Sequence, residues 1–80
     1  MAEFNYEITK AIGSLSERTT GWHKELNLIS WNDGEPKYDI RTWQGQEHAR
    51  MGKGISLNKD ELIQLKALIE EELEEAEEGD

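Results

Sequence analysis

Two tryptophans, Trp31 and Trp43, stand at the ends of strand-like segments, close to basic side chains. Exposed aromatic rings stack with unpaired bases, each contact contributing about 1 to 3 kcal/mol, while lysine and arginine follow the phosphates of a single strand. These residue types and their spacing fit an interface for single-stranded nucleic acid. Its candidate residues are Arg41, Lys53, Lys24, Trp31, Trp43 and Lys37.

Packing is the alternative role for these side chains. A tryptophan more often packs in a core or a subunit contact than binds a ligand, and we assign Trp22 to packing on that ground. Trp31 and Trp43 favour binding because polar side chains share their strand faces. For Arg41 the alternative is a surface ion pair with Asp39, two residues earlier.

Residues for catalysis or metal binding form no recognisable motif. The chain has no cysteine, and its two histidines, His23 and His48, lie far apart in sequence. A glycine-rich phosphate loop and a base-activated serine are also missing. We therefore expect a protein that is not an enzyme, needs no cofactor and holds no metal, with both histidines at the surface.

Charge is distributed unevenly along the chain. The net charge is −9, which alone argues against a polyanionic partner. Residues 1–58 hold seven basic and eight acidic side chains, whereas residues 59–80 hold two basic and ten acidic ones. The first segment can therefore carry a local basic stripe. We predict one domain over residues 1–73 and a solvated acidic tail over residues 74–80, with competition of the tail for the basic stripe as the alternative.

Composition and hydropathy also bear on location. The lack of cysteine fits a reducing compartment, and the N-terminus has no basic and apolar regions typical of a secretory leader. No apolar run approaches the roughly 20 residues that cross a bilayer. We expect a cytoplasmic protein, with association with the nucleoid as an option.

Alternation of apolar and polar residues predicts four strands. Gly13 predicts a bulge or bend in the first of them. Asn32 to Pro36 is a strong turn signal, and it predicts a hairpin between the second and third strands. The fourth strand is short and follows a polar loop. The predicted strands cover residues 4–15, 22–31, 37–44 and 53–57, and the residues expected to face the core include Leu26, Leu28, Ile55 and Leu57.

A helix is predicted from Lys59 onward, because Asn58 and Glu61 have the layout of a capping box. Its apolar stripe is wider than a coiled-coil seam and can contact both the chain's own sheet and a partner helix. The chain is therefore predicted to be α+β, in the order ββββα. A second subunit is the expected reinforcement of so small a core. The predicted dimer interface consists of Leu62, Ile63, Leu65 and Ile69.

Two segments resemble the positive cofactor four family of transcriptional coactivators. They are YDIRTW at residues 38–43 and GKGISLN at residues 52–58, in this order and followed by an amphipathic helix. The first half of the chain, from Trp22 to Asn32, is more similar to the bacterial YdbC-type branch of that family.

This resemblance implies a curved antiparallel sheet, a homodimer joined largely through its helices, and binding of single-stranded DNA with little sequence preference. Arg41, Lys53 and Lys24 match cationic positions that contact the strand, and Trp31 matches an aromatic position. Trp43 lies one place before the family's exposed tryptophan.

The implied process is transcription, replication or repair, and RNA is a further possible ligand. A second hypothesis from another class is a protein-interaction module, in which the aromatic sheet face binds a protein and no nucleic acid.

Overall fold

The computed structural model describes residues 5–17, 21–45 and 48–78 as four strands followed by one helix. The strands form one antiparallel sheet in chain order, which is open and curved. This confirms the predicted ββββα order. The elements are β1 (Tyr6–Glu17), β2 (Trp22–Trp31), β3 (Lys37–Gln44), β4 (Arg50–Leu57) and α1 (Lys59–Glu78).

The hairpin between β2 and β3 is closed by a tight turn. The Gly34 N–H donates to the carbonyl of Trp31 at 2.9 Å, and the two central residues, Asn32 and Asp33, have φ of 50° and 64°. Asparagine and aspartate tolerate this left-handed region better than most residues, and two such residues suit the twist of a hairpin. The two residues with positive φ are thus Asn32 and Asp33, immediately before Gly34. The pairing of β3 with β2 that follows this turn is regular along the whole of β3.

Bulges bend the first strand. The pairing of β1 with β2 shifts at three places, one of them between Ala11 and Gly13. This agrees with the bulge predicted at Gly13. Each extra residue bends its strand and increases the local twist, so the long edge strand curves over the sheet. Phe4, the predicted start of this strand, lies outside the described residues.

The two faces of the sheet differ in chemistry. We call the face with most of the charged, amide and aromatic side chains the polar face, and the face toward α1 the helix face. Strand alternation and register assign the residues to them. The polar face carries Tyr6, Ile8, His23, Glu25, Asn27, Ile29, Trp31, Lys37, Asp39, Arg41 and Trp43, and the helix face carries Trp22, Lys24, Leu26, Leu28, Tyr38, Ile40 and Thr42.

The deepest burial lies on the polar face. Ile29, Asp39 and Trp43 have no exposed surface, and Asn27 is 1 % exposed. On the helix face Leu26 and Leu28 are only half-buried, as is Leu57 of β4. The prediction that Ile55 faces the core is wrong, since this side chain is 57 % exposed.

Incomplete cover by the helix explains these exposures. The backbone of α1 approaches β3 and β4 but not β1 or β2 within the described part of the chain. An apolar groove remains between helix and sheet. Its apolar lining consists of Leu15, Leu26, Ile40, Leu62, Leu65 and Ile69.

The predicted capping box is present at the start of α1. The Glu61 N–H donates to the Asn58 side-chain oxygen at 2.8 Å, and the Asn58 N–H donates to the Glu61 carboxylate at 2.9 Å. The helix continues to Glu78, so no structural break marks the proposed boundary after residue 73. None of the described helical residues form a segment long and apolar enough to cross a membrane.

The fourth strand begins three residues earlier than predicted, at Arg50. Its approach to β3 depends on Gly54. A Cβ at this position would lie 2.0 Å from the Arg41 Cβ and 2.3 Å from the Ile40 carbonyl oxygen. Only glycine fits such a close approach of two backbones.

Replacing Gly54 with alanine should therefore destabilise the fold. We expect Gly54→Ala to lower the free energy of unfolding by about 3 kcal/mol, the upper end of ordinary overpacking costs. Gly13→Ala is the matched control, because a Cβ there meets no atom within 4 Å. Urea unfolding at one protein concentration measures both variants. Equal effects of the two substitutions would contradict the close approach at Gly54.

Candidate nucleic-acid interface

An aromatic cluster lies on the polar face and extends across three strands. Tyr6 of β1 packs between Trp31 and Trp43, with ring centroids 5.8 Å and 5.6 Å away. Strand register explains this arrangement, since Tyr6 pairs with Trp31 at the end of β2. The guanidinium of Arg41 lies 4.8 Å from the centre of the Trp31 ring. A cation over an indole face is attracted by the ring quadrupole.

Arg41 forms a bidentate ion pair with Asp39. Its Nε and one terminal nitrogen donate to the two carboxylate oxygens at 2.6 Å and 2.9 Å, and its other terminal nitrogen donates to the Gly52 carbonyl at 3.2 Å. The Ser56 hydroxyl also donates to Asp39, at 2.9 Å. The Asp39 side chain has no exposed surface and that of Arg41 is 14 % exposed. The ion pair weighed from the sequence is thus present, and it is largely buried.

The two candidate stacking residues differ in accessibility. Trp31 is half-buried. Trp43 is fully buried, with Tyr6 on one side and the ring of His48 edge-on at 4.8 Å. The Trp43 Nε1–H has no acceptor among the described residues. A base can reach the Trp43 ring only if one of its neighbours moves away, so its stacking role stays a prediction.

The three candidate lysines are all exposed, but they do not share one face. Lys37 lies at the start of β3, on the polar face. Lys24 lies opposite Thr42 on the helix face, and Lys53 falls within the irregular pairing of β3 with β4. Trp22 packs on the helix face over Gly52, where a Cβ would come within 3.1 Å of its ring. The structure thus brings Trp31, Trp43, Arg41 and Lys37 to one face and leaves Lys24 on the other.

The predicted dimer residues lie along α1 with unequal burial. Leu62 and Leu65 are half-buried over the groove. Ile63 is 56 % exposed and Ile69 is 47 % exposed. Large apolar side chains this exposed on one helix indicate a surface that the single chain does not cover.

A second polar cluster, which sequence reasoning missed, lies beside Trp43. The carboxylate of Glu25 bridges the two histidines, with one oxygen on His23 Nε2 and the other 2.7 Å from His48 Nε2. The Asn27 amide donates to the same carboxylate at 2.9 Å. The expectation of surface histidines is wrong, because the His23 and His48 side chains are only 16 % and 25 % exposed.

Electrostatics in this cluster favour the ionised carboxylate. Burial by itself raises the pKa of Glu25, but the hydrogen bonds from Asn27, His48 and His23 outweigh that effect. The net pKa of Glu25 lies below its usual range. The spacing of His23, Glu25 and Asn27 on alternate strand positions could have indicated a shared face. His48 gave no such signal, because it joins the cluster from a loop in which its φ is 57°.

The buried ion pair predicts a specific pattern of stability changes. Removing one partner of such a pair leaves an unpaired charge, and we expect Arg41→Met to lower the free energy of unfolding by about 3 to 5 kcal/mol. The double variant Asp39→Asn with Arg41→Met should lose clearly less, because the orphaned charge is gone. Urea unfolding of both variants and of Asp39→Asn completes the cycle. Additive losses would show that the two side chains are energetically independent.

Comparison with known proteins relates this sheet to one family. The sequence profile described as Transcriptional Coactivator p15 (PC4) matches residues 19–68, from three residues before β2 into α1. An uncharacterized protein of Treponema pallidum (strain Nichols) is 43 % identical over 67 residues, which cover 84 % of this chain and 78 % of that protein. The family is associated with single-stranded DNA binding and transcriptional coactivation, and it is not a family of enzymes. The chain belongs to the PC4 family of transcriptional coactivators.

Proposed function

We propose that the chain binds single-stranded DNA, and RNA as a further ligand, with little sequence preference. The observation that carries this proposal is Trp31, a half-buried indole at the end of β2 with the guanidinium of Arg41 4.8 Å from its centre. Membership of a family associated with single-stranded DNA supports it. In the cytoplasm such a protein acts wherever unpaired strands appear, in transcription, replication or repair. The bacterial branch of the family is part of this proposal.

Trp31 is the proposed stacking residue. Its ring is held from one side by Tyr6 and from another by Arg41, so little rotamer freedom is left to lose when a base stacks on it. Stacking tolerates every base because each has a π-face, which fits weak sequence preference. Trp43 joins in only if Tyr6 or His48 leaves its ring, and we propose it as a secondary contact.

Arg41 combines an internal and an external role in this proposal. Three of its five N–H groups donate to Asp39 and Gly52. Two N–H groups remain for a phosphate oxygen next to the base that stacks on Trp31. Because the Asp39 charge offsets that of Arg41, the pair contributes geometry more than net attraction.

Free positive charge must then come from the lysines. Lys37 is exposed at the start of β3, on the polar face, so it can follow the phosphates of a single strand bound there. Lys53 is exposed in β4, within the irregular pairing with β3, and we propose it as a further phosphate contact. Lys24 lies on the helix face and is the least well placed of the three. The net charge of −9 opposes binding at long range. Because each phosphate contact adds to the salt dependence, affinity should fall with salt in proportion to the number of phosphates that these lysines contact.

We also propose that the protein is a homodimer. The groove under α1 and the exposed side chains of Ile63 and Ile69 would be covered by a second copy. A chain of 80 residues has a small core of its own, and its most buried side chains lie on the polar face. Dimerisation through the helices would bury the helix face and leave the polar face of each subunit accessible.

Titration with oligo-dT at two salt concentrations tests the nucleic-acid proposal. We expect quenching of tryptophan fluorescence and an affinity that falls with salt. Lys37→Ala should lower the slope of log affinity against log salt by about 0.7, the loss of one phosphate contact on a single strand. Lys59→Ala removes the same charge from an exposed position on α1 and should leave the slope unchanged.

The protein-interaction hypothesis makes the opposite prediction. A folded protein that shows no response to oligo-dT at low salt would favour it. If Lys37→Ala and the wild type both bind oligo-dT with the same slope of log affinity against log salt, Lys37 does not contact a phosphate.

Sedimentation equilibrium tests the dimer. Ile63→Glu and Ile69→Glu should each weaken dimerisation by about tenfold or more, because a charge would have to be buried in an apolar contact. Gln64→Glu adds the same charge to the same helix at an exposed position and should leave the dimer intact. A wild-type protein that stays monomeric at all concentrations would contradict the proposal.

A further inference from the structure

The second polar cluster of His23, Glu25 and His48 brings together three groups that bind metal ions. One ligand atom from each residue lies within 4.8 Å of the other two. These residues come from two separate places, the start of β2 and the loop before β4. They include both histidines of the chain. Such a convergence of imidazoles on one carboxylate has no part in the proposed stacking or phosphate contacts.

We propose that His23, Glu25 and His48 form a binding site for a divalent transition-metal ion such as Zn²⁺. Imidazole nitrogen suits Zn²⁺ and its first-row neighbours, whereas Mg²⁺ and Ca²⁺ prefer sites made only of oxygen ligands. Two histidines and one carboxylate are also a known set of three protein ligands for Zn²⁺. One coordination position would remain for water.

The positions of the ligand atoms need only a small adjustment. Metal–ligand distances of about 2.0 to 2.1 Å put the ligand atoms of a tetrahedral site about 3.3 Å apart. Here His48 Nε2 and one oxygen of Glu25 are 2.7 Å apart, and the greatest separation within the set is at most 4.8 Å. The imidazoles hydrogen-bond to different oxygens of the carboxylate, so an ion entering between them would replace these hydrogen bonds with metal bonds.

A supporting shell is already in place. Asn27 is 1 % exposed, and its amide donates to Glu25 at 2.9 Å, which fixes the orientation of the carboxylate. Groups that orient a metal ligand in this way commonly change metal affinity about 10- to 100-fold. On the other side, the His48 ring rests edge-on against the buried Trp43. The side chains of His23, Glu25 and His48 retain some solvent exposure, so the cluster is not sealed from an entering ion.

The bound ion would fasten the loop before β4 to β2, because His48 belongs to the loop and the other two ligands to the strand. It would thereby hold His48 against Trp43. A ligand that binds only the folded state stabilises it by mass action. The proposal does not depend on nucleic-acid binding, since no residue of the site is a proposed contact to DNA.

Calorimetric titration of the untagged full chain with Zn²⁺ tests the site. We expect one ion per chain, a rise in the midpoint of thermal unfolding, and shifts of the imidazole signals of both histidines in NMR spectra. Co²⁺ should give the visible absorption of a low-coordinate site. His23→Gln and His48→Asn should each weaken Zn²⁺ binding roughly tenfold or more. Asparagine suits position 48 because it tolerates positive φ.

Carboxylates of the acidic helix are the main competitors, and a matched pair of variants separates them. Glu25→Gln should abolish the histidine shifts, whereas Glu74→Gln, the same change on exposed α1, should not alter them. Zn²⁺ binding that leaves both histidine signals in place would overturn the proposal, as would the absence of binding to the wild-type protein. Neither result decides the oligo-dT titration, because Trp31, Arg41 and Lys37 carry that proposal; an ion that holds His48 in place would affect only the secondary contact at Trp43.

Discussion

A buried carboxylate needs a cation paired with it, and the buried carboxylate of this sheet is that of Asp39. Arg41 pairs with it through two hydrogen bonds and uses a third to hold the backbone of Gly52, so the ion pair also ties β3 to β4. The same guanidinium lies over Trp31. The position of the proposed stacking surface therefore depends on the ion pair between Arg41 and Asp39. The missing side chain of Gly54 lets β4 come close enough for this arrangement.

The two faces of the sheet differ from the usual pattern of burial. In most half-exposed sheets the apolar side is buried and the polar side meets water. Here the polar face contains the buried side chains of Trp43, Ile29, Asn27 and Asp39, whereas the helix face is only partly covered by α1. Within the described residues, the backbone of α1 approaches β3 and β4 but not β1 or β2. This imbalance is a physical reason to propose a second copy, and it would place the proposed dimer contact and the proposed nucleic-acid contact on opposite sides of the sheet.

The parts of the fold that could be predicted are those fixed by local chemistry. The limits of β2 and β3 follow from regular alternation around a turn, and the start of α1 follows from the reciprocal hydrogen bonds of Asn58 and Glu61. The start of β4 was missed because Arg50, Met51 and Gly52 show no alternation and pair through an irregularity. The burial of Trp43 and the position of His48 depend on contacts between distant segments, which periodicity does not encode. For Arg41 the sequence left two alternatives, an ion pair with Asp39 and contact with a nucleic-acid strand; the ion pair is present, and the nucleic-acid contact stays a prediction.

Tyr6 lies outside the segment that matches the family profile, but it contributes to the aromatic cluster. It is supplied by β1, whereas the family profile matches residues 19–68 and begins after that strand. Yet Tyr6 contacts both Trp31 and Trp43 and so decides how much of each ring is available. The bulges that curve β1 are therefore more than local irregularities, since the path of this edge strand fixes the cover over the aromatic cluster. The shared segment contains Arg41, Trp31 and Trp43, and Tyr6 of β1 lies against both indoles.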